Sequence, residues 1–76
     1  MMSLGKMPVE DLIRIANSGG GFRLDATHRY LDELMQIATA AKTGGATVIF
    51  SGMSGHYTDD LIRIATAGKG SVIFED

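Results

Sequence analysis

Hydrophobic positions along this chain follow two alternating kinds of spacing. In three segments the apolar residues recur every three or four positions, as they do on one side of an α-helix. These positions are Val9, Leu12, Ile13 and Ala16, then Leu31, Leu34, Met35, Ala38 and Ala41, and then Leu61, Ile62 and Ala65. Ile15, Ile37 and Ile64 widen each stripe, as expected for a helix that contacts both a sheet and a neighbouring helix. The spacing therefore predicts three amphipathic helices.

The three helical segments also resemble one another in sequence. The heptapeptide Glu-Asp-Leu-Ile-Arg-Ile-Ala at 10–16 returns, with Asp in place of Glu, at 59–65, an offset of 49 residues. A third version, Asp-Glu-Leu-Met-Gln-Ile-Ala, occupies 32–38. Similarity at such an offset is typical of repeat architectures. The sequence predicts one domain over 1–76, made of three units that cover about residues 8–26, 27–53 and 54–76.

Each helical segment runs into glycines, which suit a helix C-terminus, and then into a short stretch rich in Val, Ile and Phe. These stretches predict strands near residues 22–25, 47–51 and 71–75. Because a strand, a helix and the next strand of one sheet connect right-handedly, the order predicts parallel pairing. The predicted fold class is α/β, with three tandem helix–strand repeats, a small parallel three-stranded sheet in the order 1-2-3, and all helices on one face.

The strands Phe22-Arg23-Leu24, Val48-Ile49-Phe50 and Val72-Ile73-Phe74, with about 22 to 27 residues per unit, resemble the βα units of leucine-rich-repeat solenoids. The resemblance covers most of the chain and implies the architecture. Asp25, Ser51 and Glu75 stand near the place of the family's consensus asparagine.

Some helix positions carry their own predictions. Leu61 is expected in the core, whereas Arg14 and Arg63 lie opposite the apolar stripes and are expected in solvent. Each arginine follows an acidic residue by four positions, Glu10 and Asp59, so surface ion pairs are predicted. Pro8 suits a first helical turn, and Thr58 is a candidate N-cap.

Charge and composition exclude several partners. The net charge is −2 with acidic and basic residues interspersed, so no basic stripe is available for nucleic acid. The apolar runs are too short to span a membrane, and the first six residues lack the apolar region of a signal peptide. The chain has no cysteine, which favours a reducing compartment such as the cytoplasm. With two histidines, no metal and no cofactor are predicted.

The outer face of the predicted sheet is the first candidate site. Successive residues of a strand point to opposite faces of the sheet. If the first and third residues of each strand tripeptide point toward the helices, the other face carries Arg23, Ile49, Ile73 and Glu75. Parallel sheets are almost always covered on both faces. These four residues are therefore the predicted interface of a homo-oligomer, most simply a two-fold dimer, with another protein as a further partner. The homo-oligomer is expected either to bury Ile49 and Ile73 or to pair the open edge strand at Ser71 to Glu75. The alternative is that an N-terminal segment with Met2, Leu4 and Met7 folds back over Ile49 and Ile73.

The rim formed by strand C-termini and helix N-termini is the second candidate site. Ligands of open parallel sheets gather at that edge, and the residues there with polar chemistry are His28, Tyr30, Ser54, His56 and Tyr57. They predict, as an alternative function, a small binder or enzyme for an anionic metabolite. The first interpretation, a non-catalytic module for self-association and protein interaction, is preferred. Gly68-Lys69-Gly70-Ser71 is no phosphate loop, because it precedes a strand instead of a helix.

Overall fold

A computed structural model describes residues 4–76 and shows helices and strands in strict alternation. A 3-10 turn at Leu4–Lys6 precedes the first helix. The elements that follow are α1 (Val9–Asn17), β1 (Phe22–Asp25), α2 (Leu31–Gly44), β2 (Val48–Ser51), α3 (Thr58–Gly68) and β3 (Val72–Phe74). The predicted order of elements is confirmed, and the strands begin and end within two residues of the expected positions.

The strands form one three-stranded sheet in the order β1-β2-β3, and both pairs are parallel. Phe22, Val48 and Val72 lie in one row across the sheet, and Leu24, Phe50 and Phe74 lie in another. Successive residues of a strand point to opposite faces. These rows therefore form one apolar face, as the sequence predicts.

The core lies between this face and one layer of helices. The large side chains at its centre are fully or almost fully buried, and they come from every helix and from β1 and β2: Leu12, Leu24, Leu34, Ile37, Val48, Phe50 and Ile64. Burying a side chain of this size contributes about 1.5–3 kcal/mol. Arg23 and Ile73, on the opposite face of the sheet, are exposed.

Small residues bring the helices close together, with α2 between α1 and α3. A Cβ atom on Gly44 would overlap the backbone carbonyls of Ala16 and Asn17 at the end of α1. A Cβ atom on Gly68 would lie 3.4 Å from Cβ of Ala38 in α2. Glycine is therefore needed at Gly44 for the backbones of α1 and α2 to meet.

The helix ends differ in detail from the expectation. The N-cap of α3 is Tyr57, so Thr58 is the first helical residue, and Pro8 is the N-cap of α1. After α2, Gly45 takes the left-handed conformation at φ 74, as predicted for a glycine. After α3 it is Lys69, at φ 47, that takes this conformation, because Gly68 is still part of the helix.

The buried side of α3 also differs from the prediction. Ile62 is 56% exposed and Ala65 is exposed, whereas Ile64 is fully buried and Leu61 is only partly buried against the core. Leu61 is thus at the edge of the core and not at its centre. The reason is that α2 lies against the flank of α3 that carries Ile64 and Gly68, which leaves the flank of Ile62 and Ala65 in solvent.

The surface charges of the helices are partly as predicted. Arg14 and Arg63 are exposed, which confirms their place opposite the core. Arg14 approaches Asp11, three residues before it, at 4.0 Å, so the predicted pairing with Glu10 is wrong. Exposed pairs at this distance contribute about 0–1 kcal/mol.

Candidate functional site

The outer face of the sheet carries the side chains that alternate with the buried ones. Arg23, Ile49 and Ile73 are aligned across the three strands. Ile73 is 48% exposed and Ile49 is partly buried. Glu75 follows β3, and its backbone N–H donates to the carbonyl of Phe50 at 2.8 Å. The structure thus places all four predicted interface residues on or beside this face.

An ion pair crosses this face. Nη2 of Arg23 donates to Oε2 of Glu75 at 3.1 Å. Arg23 is in β1 and Glu75 follows β3, and edge strands on either side of a third strand are about 10 Å apart. The two side chains therefore extend over β2, near Ile49. Ile49 is less exposed than Ile73 because its strand has a neighbour on both sides, whereas β3 is an edge strand.

Leu4 and Met7 do not cover Ile73. Leu4 and Met7 pack against the buried core, and the guanidinium of Arg29 donates to the backbone carbonyl of Met7 at 2.8 Å. With both residues held in this way, Ile73 remains half exposed. The alternative in which Leu4 and Met7 fold over the isoleucines is therefore wrong for Ile73. Met2, the third residue of that alternative, lies outside the described residues.

At the rim, Tyr30 and Tyr57 occupy equivalent places as the N-caps of α2 and α3. Their side chains are 78% and 80% exposed. His28 and Ser54 are exposed too, and His56 is partly buried. The rim therefore presents aromatic and imidazole groups to solvent and does not enclose them.

A turn after β1 organises one part of the rim. Oδ1 of Asp25 accepts hydrogen bonds from the Thr27 hydroxyl at 2.6 Å and from the Thr27 backbone N–H at 3.0 Å. These bonds stabilise the carboxylate, and with a smaller contribution from His28 they hold the pKa of Asp25 below its ordinary value. A Cβ atom on Gly52, in the next loop, would lie 2.8 Å from Oδ1 of Asp25. The two loops therefore touch at this turn.

A surface depression of about 560 Å³ lies beside this turn. It brings His28 and Tyr30 together with Asp25, and Ser54, His56 and Tyr57 do not line it. The other residues around it are Lys6, Met7, Pro8, Val9, Glu10, Arg29 and Glu33. The predicted rim site is therefore divided, with two of its five residues in one depression.

The chemistry of this depression does not favour an anion. Oε1 of Glu33 accepts from the backbone N–H of Tyr30 at 3.2 Å, so a carboxylate already occupies the N-terminus of α2. Glu10 and Asp25 add two further carboxylates against the cations of Lys6 and Arg29. An anionic ligand would meet three like charges here.

Other kinds of site are absent from the described part of the chain. Residues 4–76 contain no group of three His, Cys, Asp or Glu side chains arranged to hold a metal ion. They also contain no buried side-chain nitrogen or oxygen without a hydrogen-bond partner. None of the helices in this range combines the length and the hydrophobicity that crossing a bilayer requires.

The two ends of the helix layer carry surfaces that were not predicted from the sequence. Beyond α3, the exposed Ile62 and Ala65 form an apolar strip. Beyond α1, a depression of about 650 Å³ is lined by Met7, Asp11, Arg14, Ile15, Ser18 and Gly20. The predicted single layer of helices already implied such surfaces, because any open row of helices has a first and a last member with one unpartnered side.

Comparison of the chain with protein-family models, curated proteins and solved structures gives no significant match.

Proposed function

We propose that the chain is a small, non-catalytic repeat module of the cytoplasm that associates with itself and with another protein through the outer face of its sheet. The observation that carries this proposal is the half-exposed Ile73 beside Ile49, on a face without a second layer in residues 4–76. The resemblance to leucine-rich-repeat units is part of the same proposal, since modules of that kind bind proteins through extended surfaces.

Physical chemistry supports an interface on this face. Parallel sheets are almost always covered on both sides, and an apolar surface bordered by polar groups is typical of a protein contact. Arg23 and Glu75, whose ion pair lies over β2, provide the polar groups beside the isoleucines. In a two-fold dimer the same residues face each other from both copies, so Arg23 of one copy is able to pair with Glu75 of the other. The ion pair within one chain already shows that the two groups are complementary.

The direct test is sedimentation equilibrium across micromolar concentrations. The double variant Ile49→Asp, Ile73→Asp is expected to shift the protein toward monomer, because it places uncompensated charge in the contact. A matched control is Gln36→Asp, Thr39→Asp, which adds the same charge at exposed positions of α2. Equal association of both double variants and the unmodified chain would exclude the outer face as the contact.

The second candidate, a small binder or enzyme for an anionic metabolite, is the weaker one: His28 and Tyr30 share a depression with the cations Lys6 and Arg29, but three carboxylates line it too. Its test is an NMR titration with inorganic phosphate. Saturable shifts at His28 and Tyr30 would support it, whereas shifts that grow linearly and equally at Ser54, His56 and Tyr57 would count against a site.

A further inference from the structure

The first and last helices share a hexapeptide but bury different parts of it. Asp-Leu-Ile-Arg-Ile-Ala occupies 11–16 in α1 and 60–65 in α3. Ala16 is fully buried, yet its counterpart Ala65 is exposed. Ile64 is fully buried, yet its counterpart Ile15 is only partly buried. Identical residues therefore have different partners at the two ends of the helix layer.

The geometry of the helix explains the exchange. Successive residues are rotated by about 100°, so Ile13 and Ala16 lie on one flank of α1 and Ile15 lies on the other, with Leu12 between them. The flank of Ile13 and Ala16 meets α2, because Ala16 abuts Gly44 and Ile13 borders a groove shared with Ala40.

In α3 the opposite flank meets α2. Gly68 lies next to Ala38, and Ile64 is on the same flank as Gly68. Consequently Ile62 and Ala65, the counterparts of the α2-facing residues of α1, point away from the helix layer. We call Ile62, Ala65 and Thr66 the C-terminal end face. We call Asp11, Ile15 and Ser18 the N-terminal end face.

We propose that two copies of this chain associate head to tail, with the C-terminal end face of one copy against the N-terminal end face of the next. The repeated hexapeptide indicates why a second copy of the chain is the partner. Ile13 and Ala16 of α1, the counterparts of Ile62 and Ala65 on the C-terminal end face, already pack against a helix, α2. Ile15, on the N-terminal end face, has its counterpart in Ile64 of α3, which is fully buried on the flank that meets α2. A second copy provides both halves of a contact that continues the row of helices.

The sheet continues in the same direction. On either side of β3, the backbone carbonyl of Ser71 accepts from the N–H of Val48, and the N–H of Glu75 donates to the carbonyl of Phe50. Backbone groups alternate between the two sides of a strand, so those of Val72 and Phe74 face the outer edge of the sheet. In β1, Ala26 donates to Ser51, so by the same alternation Arg23 and Asp25 face the other edge. Within residues 4–76 neither edge pairs with a further strand, although the 3-10 turn at Leu4–Lys6 lies against β1 and would have to leave room for the next copy. β3 of one copy thus matches β1 of the next in a parallel pair.

This association deepens the proposed self-association but rests on the helix end faces and the backbone of the sheet edges; of the outer face, only the edge-strand residues Arg23 and Ile73 would become neighbours of the next copy. It is heterologous, so it leaves one end face open on each terminal copy and extends to rings or filaments. A two-fold dimer of the outer face closes on itself. The two contacts therefore differ in which pairs of variants are able to associate.

The test is a set of pairwise titrations between two single variants, Ile62→Lys and Ile15→Lys. A dye on Lys42→Cys, at an exposed position of α2 in a chain without cysteine, reports binding by fluorescence anisotropy. Each variant is titrated with itself and with the other. We expect each to bind itself about tenfold or more weakly than the unmodified chain binds itself, because a charge replaces an apolar contact. We expect the mixture to bind at full strength, because one intact end face remains on each partner.

Circular dichroism and thermal unfolding check that the variants fold, and Gln36→Lys is the matched control for added charge. If Ile15→Lys unfolds, Ser18→Lys replaces it on the same face.

Self-association of Ile15→Lys at full strength, with loss only for Ile62→Lys, would indicate a two-fold contact between α3 helices and overturn the proposal. Equal binding in all combinations would also overturn it. If Ile49→Asp, on the central strand, weakens that binding while neither lysine variant does, the outer-face proposal survives. An unmodified chain that is monomeric at all concentrations excludes the head-to-tail contact.

Discussion

The helices α1 and α3 have six identical residues in succession, yet different residues of that segment reach the core. In α1, Leu12 and Ala16 are fully buried. In α3, Ile64 is fully buried, while Leu61 is at the edge and Ala65 is in solvent. Both helices lie on the same sheet, so the difference comes from α2, which is on opposite flanks of the two. The local sequence makes the segment helical, and the neighbouring helix selects the flank that is buried.

The largest effect should come from truncating the isoleucine pair. Ile64→Ala should lower the free energy of unfolding by about 2–5 kcal/mol, since it leaves a cavity at a fully buried position. Ile15→Ala, the same change in the same hexapeptide, should cost about 1 kcal/mol or less, because water already reaches that side chain. Urea denaturation of both variants measures the difference. Equal losses would mean that the two helices present the same flank to the core.

The glycines at the two helix contacts should differ in the same way. Gly44→Ala should lower the free energy of unfolding by about 1–3 kcal/mol, because the new methyl group would overlap backbone carbonyls of α1, which cannot move alone. Gly68→Ala meets a side chain, with Cγ2 of Val72 at 2.6 Å, and its cost should be about 1 kcal/mol or less, since alanine also favours the helix.

Thermal unfolding of the two glycine variants, with Gly55→Ala as a control in open space, measures this contrast. A larger loss for Gly68→Ala would show that the contact between α2 and α3 is the more tightly packed of the two.

The smallest effect concerns the loops at the strand ends. Asp25 is held in a turn by Thr27, whereas the loop after β2 has Gly52, at φ 73, beside the same carboxylate. Thr27→Val removes the hydroxyl donor, so the pKa of Asp25 should rise toward its ordinary value. NMR titration of the Asp25 carboxyl carbon measures this shift.

The sign of the pH dependence follows from that pKa. Because the folded-state value is below the unfolded one, the contribution of Asp25 to stability is present above the unfolded pKa, about 3.9, and is lost as the pH falls through the folded value. The loss on acidification should be smaller in Thr27→Val than in the unmodified chain. An unchanged pKa would show that the backbone N–H of Thr27 alone holds the turn.

The amino-acid sequence determined the elements, the parallel order and the faces of the strands. Helical spacing and strand alternation depend on neighbours a few residues away, so Val48, Phe50 and Leu24 could be assigned to the core and Ile73 to the outer face. With right-handed crossovers, the order 1-2-3 places all helices on one face, and this is the preferred arrangement. The outer-face site could be predicted because it follows from strand alternation alone.

The tertiary structure decided the features that depend on which element lies beside which. Periodicity gives a helix its apolar stripe, but Ile62 and Ile64 both belong to that stripe, and only the position of α2 separates them. The pairing of Arg23 with Glu75 joins residues 52 positions apart and depends on the reach of two side chains across β2. The division of the rim residues has the same origin. Side chains on different loops share a depression only when the loops are placed together, and no spacing along the chain records that distance.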